Sequence, residues 1–277
     1  MSGGVFSCSV HTHSALCDGR GSLANMAEAA FAAGIKHFGF SGHIHTPIPH
    51  DEGNVLPSGA EEYLDECHRL KQLYGGSMEV LMGIEWDSMS DEKLPEGLDY
   101  WIGSVHNLGD PLRGEYYSVD WHKESLFACR DRLFGGDIYA LCAAYYAEVT
   151  RVAAMKPTIL GHFDLVTKLN GDGGIFDEKE PEYLKSALAA LERVDPKASV
   201  MEVNTGAVAR GYRKDSYPAD FILRAWREMG GRVIITSDAH SPENLLFGYE
   251  SAAARVKAAG YGSCALLTGR GIIDCEI

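Results

Sequence analysis

Short apolar runs alternate with amphipathic windows along most of the chain. Runs rich in β-branched and aromatic residues are typical of buried strands, whereas longer windows with apolar residues at helical spacing are typical of helices packed on a sheet. Because the two kinds of segment alternate, the pattern predicts βα units and a parallel sheet. The predicted strands are Val5–Val10, His37–Ser41, Val80–Ile84, Tyr100–Val105, Thr158–Gly161, Val200–Val203, Val233–Thr236 and Cys264–Leu267.

The helical windows between these runs have recognisable ends. In the first, an apolar stripe over residues 23–31 follows Ser22, a favourable N-cap, and ends at Gly34. A similar stripe over residues 222–229 ends at Gly230. Further helices are predicted over residues 58–74, 122–134, 138–155, 180–194 and 249–259.

The number of these units favours an α/β barrel. Seven or eight βα units fit within 277 residues, and no Gly-x-Gly-x-x-Gly segment follows a predicted strand, as an open dinucleotide-binding sheet would require. No linker, repeat or charge block divides the chain. Residues 1–277 are therefore predicted to form one domain.

Composition excludes several classes of partner. With 25 basic and 39 acidic residues, the formal charge is −14, which disfavours nucleic acid and anionic membranes. The longest nearly apolar run, Ile138 to Ala147, is about half the ~20 residues of a membrane-spanning helix. The amino-terminal stretch from Met1 to Gly4 lacks the basic residue of a secretory signal, and the seven cysteines form no Cys-x-x-Cys pair. A cytoplasmic protein with reduced thiols is expected.

Metal-capable side chains are concentrated where the predicted strands end. Parallel strands of a barrel direct their carboxyl ends to one face, so these side chains should converge there. Imidazoles and carboxylates together suit Zn, Fe or Mn, and a bridging carboxylate can hold two ions about 3.5–4 Å apart. The candidates, too many for one ion, predict a multinuclear site: His11, His13, Asp18, His43, Glu85, His106, His162, Asp164, Asp238 and His240.

These motifs resemble the polymerase and histidinol phosphatase (PHP) family of metal-dependent phosphoesterases. His-x-His, Ser-Gly-His, Gly-x-Glu, Gly-Ser-Val-His, Gly-His-Phe-Asp and Ser-Asp-Ala-His occur in the family's order between about residues 5 and 248. Longer stretches resemble its histidinol-phosphate phosphatase branch: HTHSALCDG, FGFSGHIHTP, YYSVD, LGHFDLVTK and EVNTGAVARGYR.

The resemblance implies a distorted (β/α)7 TIM-like barrel that holds three divalent ions at the carboxyl ends of its strands. It assigns the first ion to His11, His13, Glu85 and Asp238, and a second, bridged by Glu85, to His106 and His162. A third would use His43, His240 and a residue of the first loop. Many members have a histidine where this chain has Gly19, so Asp18 is the expected substitute.

The implied reaction is hydrolysis of the phosphomonoester L-histidinol phosphate, a step of histidine biosynthesis. Bound metals lower the pKa of water and neutralise the phosphoryl charge, so a metal-bridging hydroxide is expected to attack phosphorus. Asp238 would ligate a metal and relay a proton. Candidates to protonate the leaving alkoxide are His240, His45 and Asp164.

Further side chains are expected to contact the substrate. Arginine matches phosphate oxygens bidentately, and Arg210 and Arg213 follow the sixth predicted strand. Lys168 and His45 are added because they follow strands that carry candidate ligands. Asp120 or Asp164 could receive the substrate ammonium, and the candidates to flank its imidazole are Tyr116, Tyr117 and Trp86.

Three alternatives remain open. Another PHP phosphoesterase, acting on nucleoside monophosphates or short oligonucleotides, would share the ligands. A metal-dependent amidohydrolase would share the barrel but usually needs a metal-bridging lysine after a middle strand, and no lysine is equally well placed. A metal-binding regulator would keep the ligands without needing the arginines. Neither the metal nor the oligomeric state can be deduced from the residues.

Overall fold

The computed structural model describes residues 4–277, so residues 1–3, part of the stretch used to predict location, lie outside the described residues. Seven parallel strands form one sheet in the order β1-β2-β3-β4-β7-β8-β9. They are β1 (Cys8–Ser9), β2 (His37–His43), β3 (Glu79–Asp87), β4 (Tyr100–Ser104), β7 (Ile159–Leu160), β8 (Val200–Asn204) and β9 (Val233–Thr236).

The two edges of this sheet meet just beyond β1 and β9. The amide of His13 donates to the carbonyl of Ala239 at 2.9 Å, and the amide of Ala239 donates to the carbonyl of His11 at 3.0 Å. These two bonds close the sheet at the carboxyl ends of the strands, where the candidate ligands lie. The predicted α/β barrel with seven parallel strands is confirmed.

Helices follow the strands and cover the outside of the barrel. They are α1 (Leu23–Ala32), α2 (Glu61–Tyr74), α3 (Lys123–Leu133), α4 (Ile138–Ala154), α5 (Pro181–Leu191), α6 (Gly206–Ala209), α7 (Asp220–Glu228) and α8 (Tyr249–Ala258). Ser22 caps α1 as predicted, by accepting from the amide of Asn25. Within residues 4–277, no helix combines the length and the apolar character needed to cross a membrane.

Two antiparallel hairpins supplement the barrel. The first joins β5 (Asn107–Asp110) to β6 (Glu115–Ser118), and the second joins β10 (Ser263–Thr268) to β11 (Gly271–Glu276). The predicted strand at 264–267 thus exists, but it pairs with β11 in a separate sheet. Its side chains pack against inward-facing residues near the beginnings of the barrel strands: Cys8, Val10, Leu81, Ile102, Ile159, Val200 and Ile234.

The prediction was wrong about several boundaries. Residues 4–7 form a 3-10 turn, so Val5–Val10 contributes only Cys8–Ser9 to the sheet, and Thr158–Gly161 contributes only Ile159–Leu160. The first hairpin and α6 were not predicted. Gly109 and Asp110 weaken the strand signal of β5, because neither residue favours a strand.

A tyrosine across the barrel interior makes one glycine necessary. The Tyr100 hydroxyl lies 2.7 Å from the carbonyl oxygen of Val10 and 2.8 Å from that of Phe40, so β4 is tied to two other strand segments. Its ring occupies the space above Gly83, where a Cβ would lie 2.3 Å from the ring carbon Cζ.

Gly83→Ala is therefore expected to lower the free energy of unfolding by about 1–3 kcal/mol, because Tyr100 cannot move without losing its hydrogen bonds. Urea denaturation measures the change. Gly262→Ala is the matched control, since a Cβ there meets nothing within 4 Å. Equal unfolding midpoints for the two variants would contradict the expectation.

Candidate metal centre

The carboxylate of Glu85, near the carboxyl end of β3, is the centre of the polar cluster. Its Oε2 atom lies 3.1 Å from Nε2 of His11, 3.4 Å from Nε2 of His13 and 3.0 Å from Nδ1 of His43. His11 and His13 follow β1, and His43 ends β2. The parallel register of β2 and β3 pairs His43 with Glu85 directly.

The second oxygen of Glu85 faces the other side of the barrel. Its Oε1 atom lies 2.9 Å from Nε2 of His162 and 3.5 Å from Nε2 of His106. Ser104 donates its hydroxyl to the same oxygen at 2.6 Å. The two oxygens of one buried carboxylate therefore face five histidine rings.

Asp238 supplies a second carboxylate to this group. Its Oδ1 atom lies 3.2 Å from Nε2 of His13 and 3.6 Å from Nε2 of His11. The backbone of Asp238 has φ +48°, a left-handed conformation that non-glycine residues rarely adopt and that often marks a functional site. Arg210 holds it there by donating to Oδ2 at 2.9 Å and to the main-chain oxygen at 3.1 Å.

Asp18 forms an outer group with three histidines. Its Oδ2 atom lies 2.9 Å from Nε2 of His240 and 3.7 Å from Nε2 of His43, and its Oδ1 atom lies 3.5 Å from Nδ1 of His13. The first loop thus brings Asp18, as predicted in place of a histidine at Gly19, beside His43 and His240. A Cβ at position 19 would lie 2.6 Å from the amide nitrogen of Ser14, so the turn itself requires glycine.

The histidines and carboxylates of the cluster shift one another's pKa values. Burial would lower the pKa of His11, but Glu202, Glu85 and Asp238 outweigh it and raise that pKa well above its usual value. Burial would likewise raise the pKa of Glu85, yet the surrounding histidines hold it well below its usual range. For His13, burial and then His240 and His43 lower the pKa to about 3. Metals bind neutral imidazoles and ionised carboxylates, so His13 and Glu85 are already in the binding form, whereas His11 would lose a proton when a metal binds.

Unpartnered atoms show that the cluster fits metal ions. Nε2 of His11, Nε2 of His13 and Oε2 of Glu85 are all buried and have no hydrogen-bond partner among residues 4–277. Such atoms are costly to bury unless something binds them, and these three face one another. Three overlapping groups have ligand atoms within 4.8 Å of one another: His11, His13 and Glu85; His43, Glu85 and His106; and His13, Asp18, His43 and His240.

A cavity of about 180 Å³ adjoins the cluster. Asp18, His43 and His106 are among its lining residues, so a molecule in the cavity can reach the ligand groups. Lys168 and Asp120 also line it, and Lys168 donates to Asp120 at 2.7 Å. The remaining lining residues are Ile44, Thr46, His50, Asp51, Asn54, Val55, Asp87, Asn107, Ser118 and Trp121.

Other predicted substrate contacts lie elsewhere. Both terminal nitrogens of Arg213 bind Glu178, and one also donates to the carbonyl of Thr167. His45 lines a separate pocket, with its Nδ1 3.7 Å from Asp91. Tyr117 pairs with Leu108 in the β5–β6 hairpin and packs against the core. The structure does not bring these three side chains to the lining of the cavity, and their contacts with substrate stay predictions.

Of three further candidates for contact with the substrate or its proton, only one lines the cavity. Asp164 is buried, accepts from the amide of Ala219, and has its pKa raised by burial to about 6. Trp86 is buried, with its indole donating to the carbonyl of Glu92. Neither lines the cavity, whereas Asp120 does.

Sequence reasoning missed the acceptors behind the histidines. Asp87 accepts from both the amide and Nδ1 of His106, at 2.9 and 3.0 Å, and Glu202 accepts from Nδ1 of His11. Glu202 could have been found from the sequence, because it is a carboxylate inside an otherwise apolar strand, Val-Met-Glu-Val of β8. Trp121, stacked on His50 at the cavity, had no comparable signal.

The chain is similar over most of its length to proteins that are named as histidinol-phosphatases. A protein from Deinococcus radiodurans named as a probable histidinol-phosphatase is 30% identical over 266 residues, which span 91% of this chain and 94% of that protein. The histidinol-phosphatase of Bacillus subtilis is 24% identical over 87% of this chain and 96% of its own.

A solved structure has the same fold. The histidinol phosphate phosphatase of Lactococcus lactis, described in complex with Zn, L-histidinol and phosphate, aligns with a TM-score of 0.68 at 18% identity, over 96% of this chain and 98% of that one. Residues 9–206, which include most of the cluster, match the model of the PHP domain. The chain belongs to the PHP family.

Proposed function

We propose that this protein hydrolyses L-histidinol phosphate to L-histidinol and phosphate, using divalent metal ions held around Glu85. The observation that carries the proposal is the convergence of five histidines on one buried carboxylate beside a cavity of small-molecule size. The choice of L-histidinol phosphate as the substrate rests on the relatives, which are named as histidinol-phosphatases.

The ligand sets follow the clustering of side chains. The first set is His11, His13, Glu85 and Asp238, the second is Glu85, His106 and His162, and the third is Asp18, His43 and His240. The short distances from Glu85 to both of the first two sets support its role as the bridge. Zn, Fe and Mn all suit these donors, and we propose three ions.

Bound ions would lower the pKa of a coordinated water and neutralise charge on the phosphoryl oxygens. The chain's own groups supply the rest. Asp238, held by Arg210, is oriented toward His11 and His13 and is proposed to relay a proton. Arg210 and Lys168 carry positive charge beside the cluster and are proposed to hold phosphate oxygens. His240 is proposed to protonate the leaving oxygen.

The organic part of the substrate would occupy the cavity. Asp120 and Asp51 offer carboxylates to the ammonium, and the half-exposed Trp121 offers a ring face to the imidazole. The second candidate, hydrolysis of nucleoside monophosphates or short oligonucleotides, shares the metal cluster. Four aspartates line the cavity, which disfavours a chain of phosphates.

The direct test is phosphate release from L-histidinol phosphate by protein loaded with Zn²⁺ or Mn²⁺. We expect kcat/KM for this substrate to exceed that for thymidine 5′-monophosphate by at least about a hundredfold, because two extra polar contacts are each worth about tenfold or more. Equal values for the two substrates would overturn the assignment of substrate and leave a general phosphatase.

Glu85→Gln should lower bound metal by more than one equivalent per chain, because the bridging position serves two ligand sets. Elemental analysis after reconstitution measures the loss, and hydrolysis should fall by at least about a thousandfold. His68→Ala is the control, since His68 is exposed on α2. Full metal content in Glu85→Gln would refute the bridge.

Asp120→Asn should raise KM for L-histidinol phosphate by about tenfold while changing little for the analogue without an amine, 3-(imidazol-4-yl)propyl phosphate. Steady-state kinetics on both substrates separates the effects. Lys168→Gln is the matched control, because losing a phosphate contact should weaken both substrates alike. Equal losses on both substrates in Asp120→Asn would show that Asp120 only holds Lys168.

A further inference from the structure

Glu202 is a carboxylate buried beneath the metal cluster, in the middle of β8. Its side chain is 0% exposed, between Met201 and Val203. A charge in such a place is retained only when its hydrogen-bonding capacity is filled. The strand on which it lies sits between β7 and β9.

Both oxygens of Glu202 are fully used. Oε1 accepts from Nδ1 of His11 and from the hydroxyl of Thr236 at 2.6 Å. Oε2 accepts from the amide of His162 at 2.7 Å and from Nδ2 of Asn204 at 3.0 Å. All four partners can donate, so the carboxylate is satisfied as an anion without a cationic side chain of lysine or arginine.

These bonds hold His11 and His162 so that the Nε2 atom of each ring faces the cluster. Since an ionised carboxylate only accepts, the neutral, metal-binding form of His11 must carry its one proton on Nδ1, which leaves the Nε2 lone pair on the far side of the ring for a metal. That Nε2 lies 3.1 Å from Glu85 and has no hydrogen-bond partner in the part of the chain that the structure describes. The bond to the main-chain amide of His162 holds the backbone that carries this ring, and the Nε2 of the ring lies 2.9 Å from the other oxygen of Glu85.

We propose that Glu202 is a positioning residue that aligns His11 and His162 from separate strands onto the two oxygens of Glu85. β1 and β7 are not neighbours in the sheet, so no ladder sets their relative position. Glu202 connects their ends through one buried side chain that accepts four hydrogen bonds. A related contact lies on the other side of the cluster, where Asp87 accepts from both the amide and Nδ1 of the single residue His106. The inference depends on the metal cluster of the proposed function and not on the identity of the substrate.

Glu202→Gln tests the proposal with little change in shape. The amide of glutamine accepts from Nδ1 of His11 less strongly than a carboxylate does. The ring proton can therefore move to Nε2, where it blocks the nitrogen that would bind the metal. We expect the affinity for Zn²⁺, measured by competition with a chromogenic chelator, to fall by about 10–100-fold. The visible spectrum of the Co²⁺-loaded protein should also change, because that spectrum reports the ligand geometry.

The chain offers a matched control. Glu79 accepts from Nδ1 of His37 at 2.8 Å, which is the same carboxylate–histidine pair at the opposite ends of the strands. Glu79→Gln should leave Zn²⁺ affinity and the Co²⁺ spectrum unchanged. Thermal unfolding of both variants without metal separates loss of fold from loss of ligand alignment.

Wild-type Zn²⁺ affinity and an unaltered Co²⁺ spectrum in Glu202→Gln would overturn the proposal, even if its unfolding temperature fell. Should that variant not fold, Thr236→Val removes one donor to Glu202 and is expected to lower Zn²⁺ affinity severalfold, and an unchanged affinity there would overturn it equally. These measurements use no substrate. Failure to hydrolyse L-histidinol phosphate would therefore count against the proposed function alone.

Discussion

The arrangement of this protein depends on keeping the Glu85 carboxylate ionised inside the barrel. A buried anion is stable only when cations and donors surround it, and here histidines from the ends of several strands do so with one serine. This requirement brings ligands from distant parts of the chain to one point. Within residues 4–277, three buried ligand atoms of the cluster have no hydrogen-bond partner, as expected of atoms that would bind metal ions.

Rigidity around the cluster comes from two sources. Below it, the barrel interior is apolar and covered by the β10–β11 hairpin, and Tyr100 ties β4 to Phe40 of β2 and to Val10, just after β1. Within it, Asp87 and Glu202 bind the backs of histidine rings, and Arg210 holds Asp238 in its left-handed conformation. The apolar floor stabilises the fold, while the carboxylates and Arg210 set the direction of the ligand atoms.

Much of the candidate site could be predicted because its signal is local. In a parallel barrel, a side chain at the end of any strand faces the same side, so His43, Glu85 and His106 could be grouped without knowing the fold in detail. The roles of the arginines could not be predicted in this way. Arg210 and Arg213 lie three residues apart after β8, yet one binds Asp238 and the other binds Glu178. Their partners come from other loops, which the local pattern does not contain.

The amino-acid sequence by itself determined the class of fold and the kinds of atom at the strand ends, because alternating apolar runs and ligand motifs are properties of neighbouring residues. Tertiary structure decided the closure of the sheet between His13 and Ala239, the shape of the cavity, and the pairing of Glu202 with His11, 191 residues apart. Such contacts join residues that are distant along the chain, so they exist only after the strands have packed.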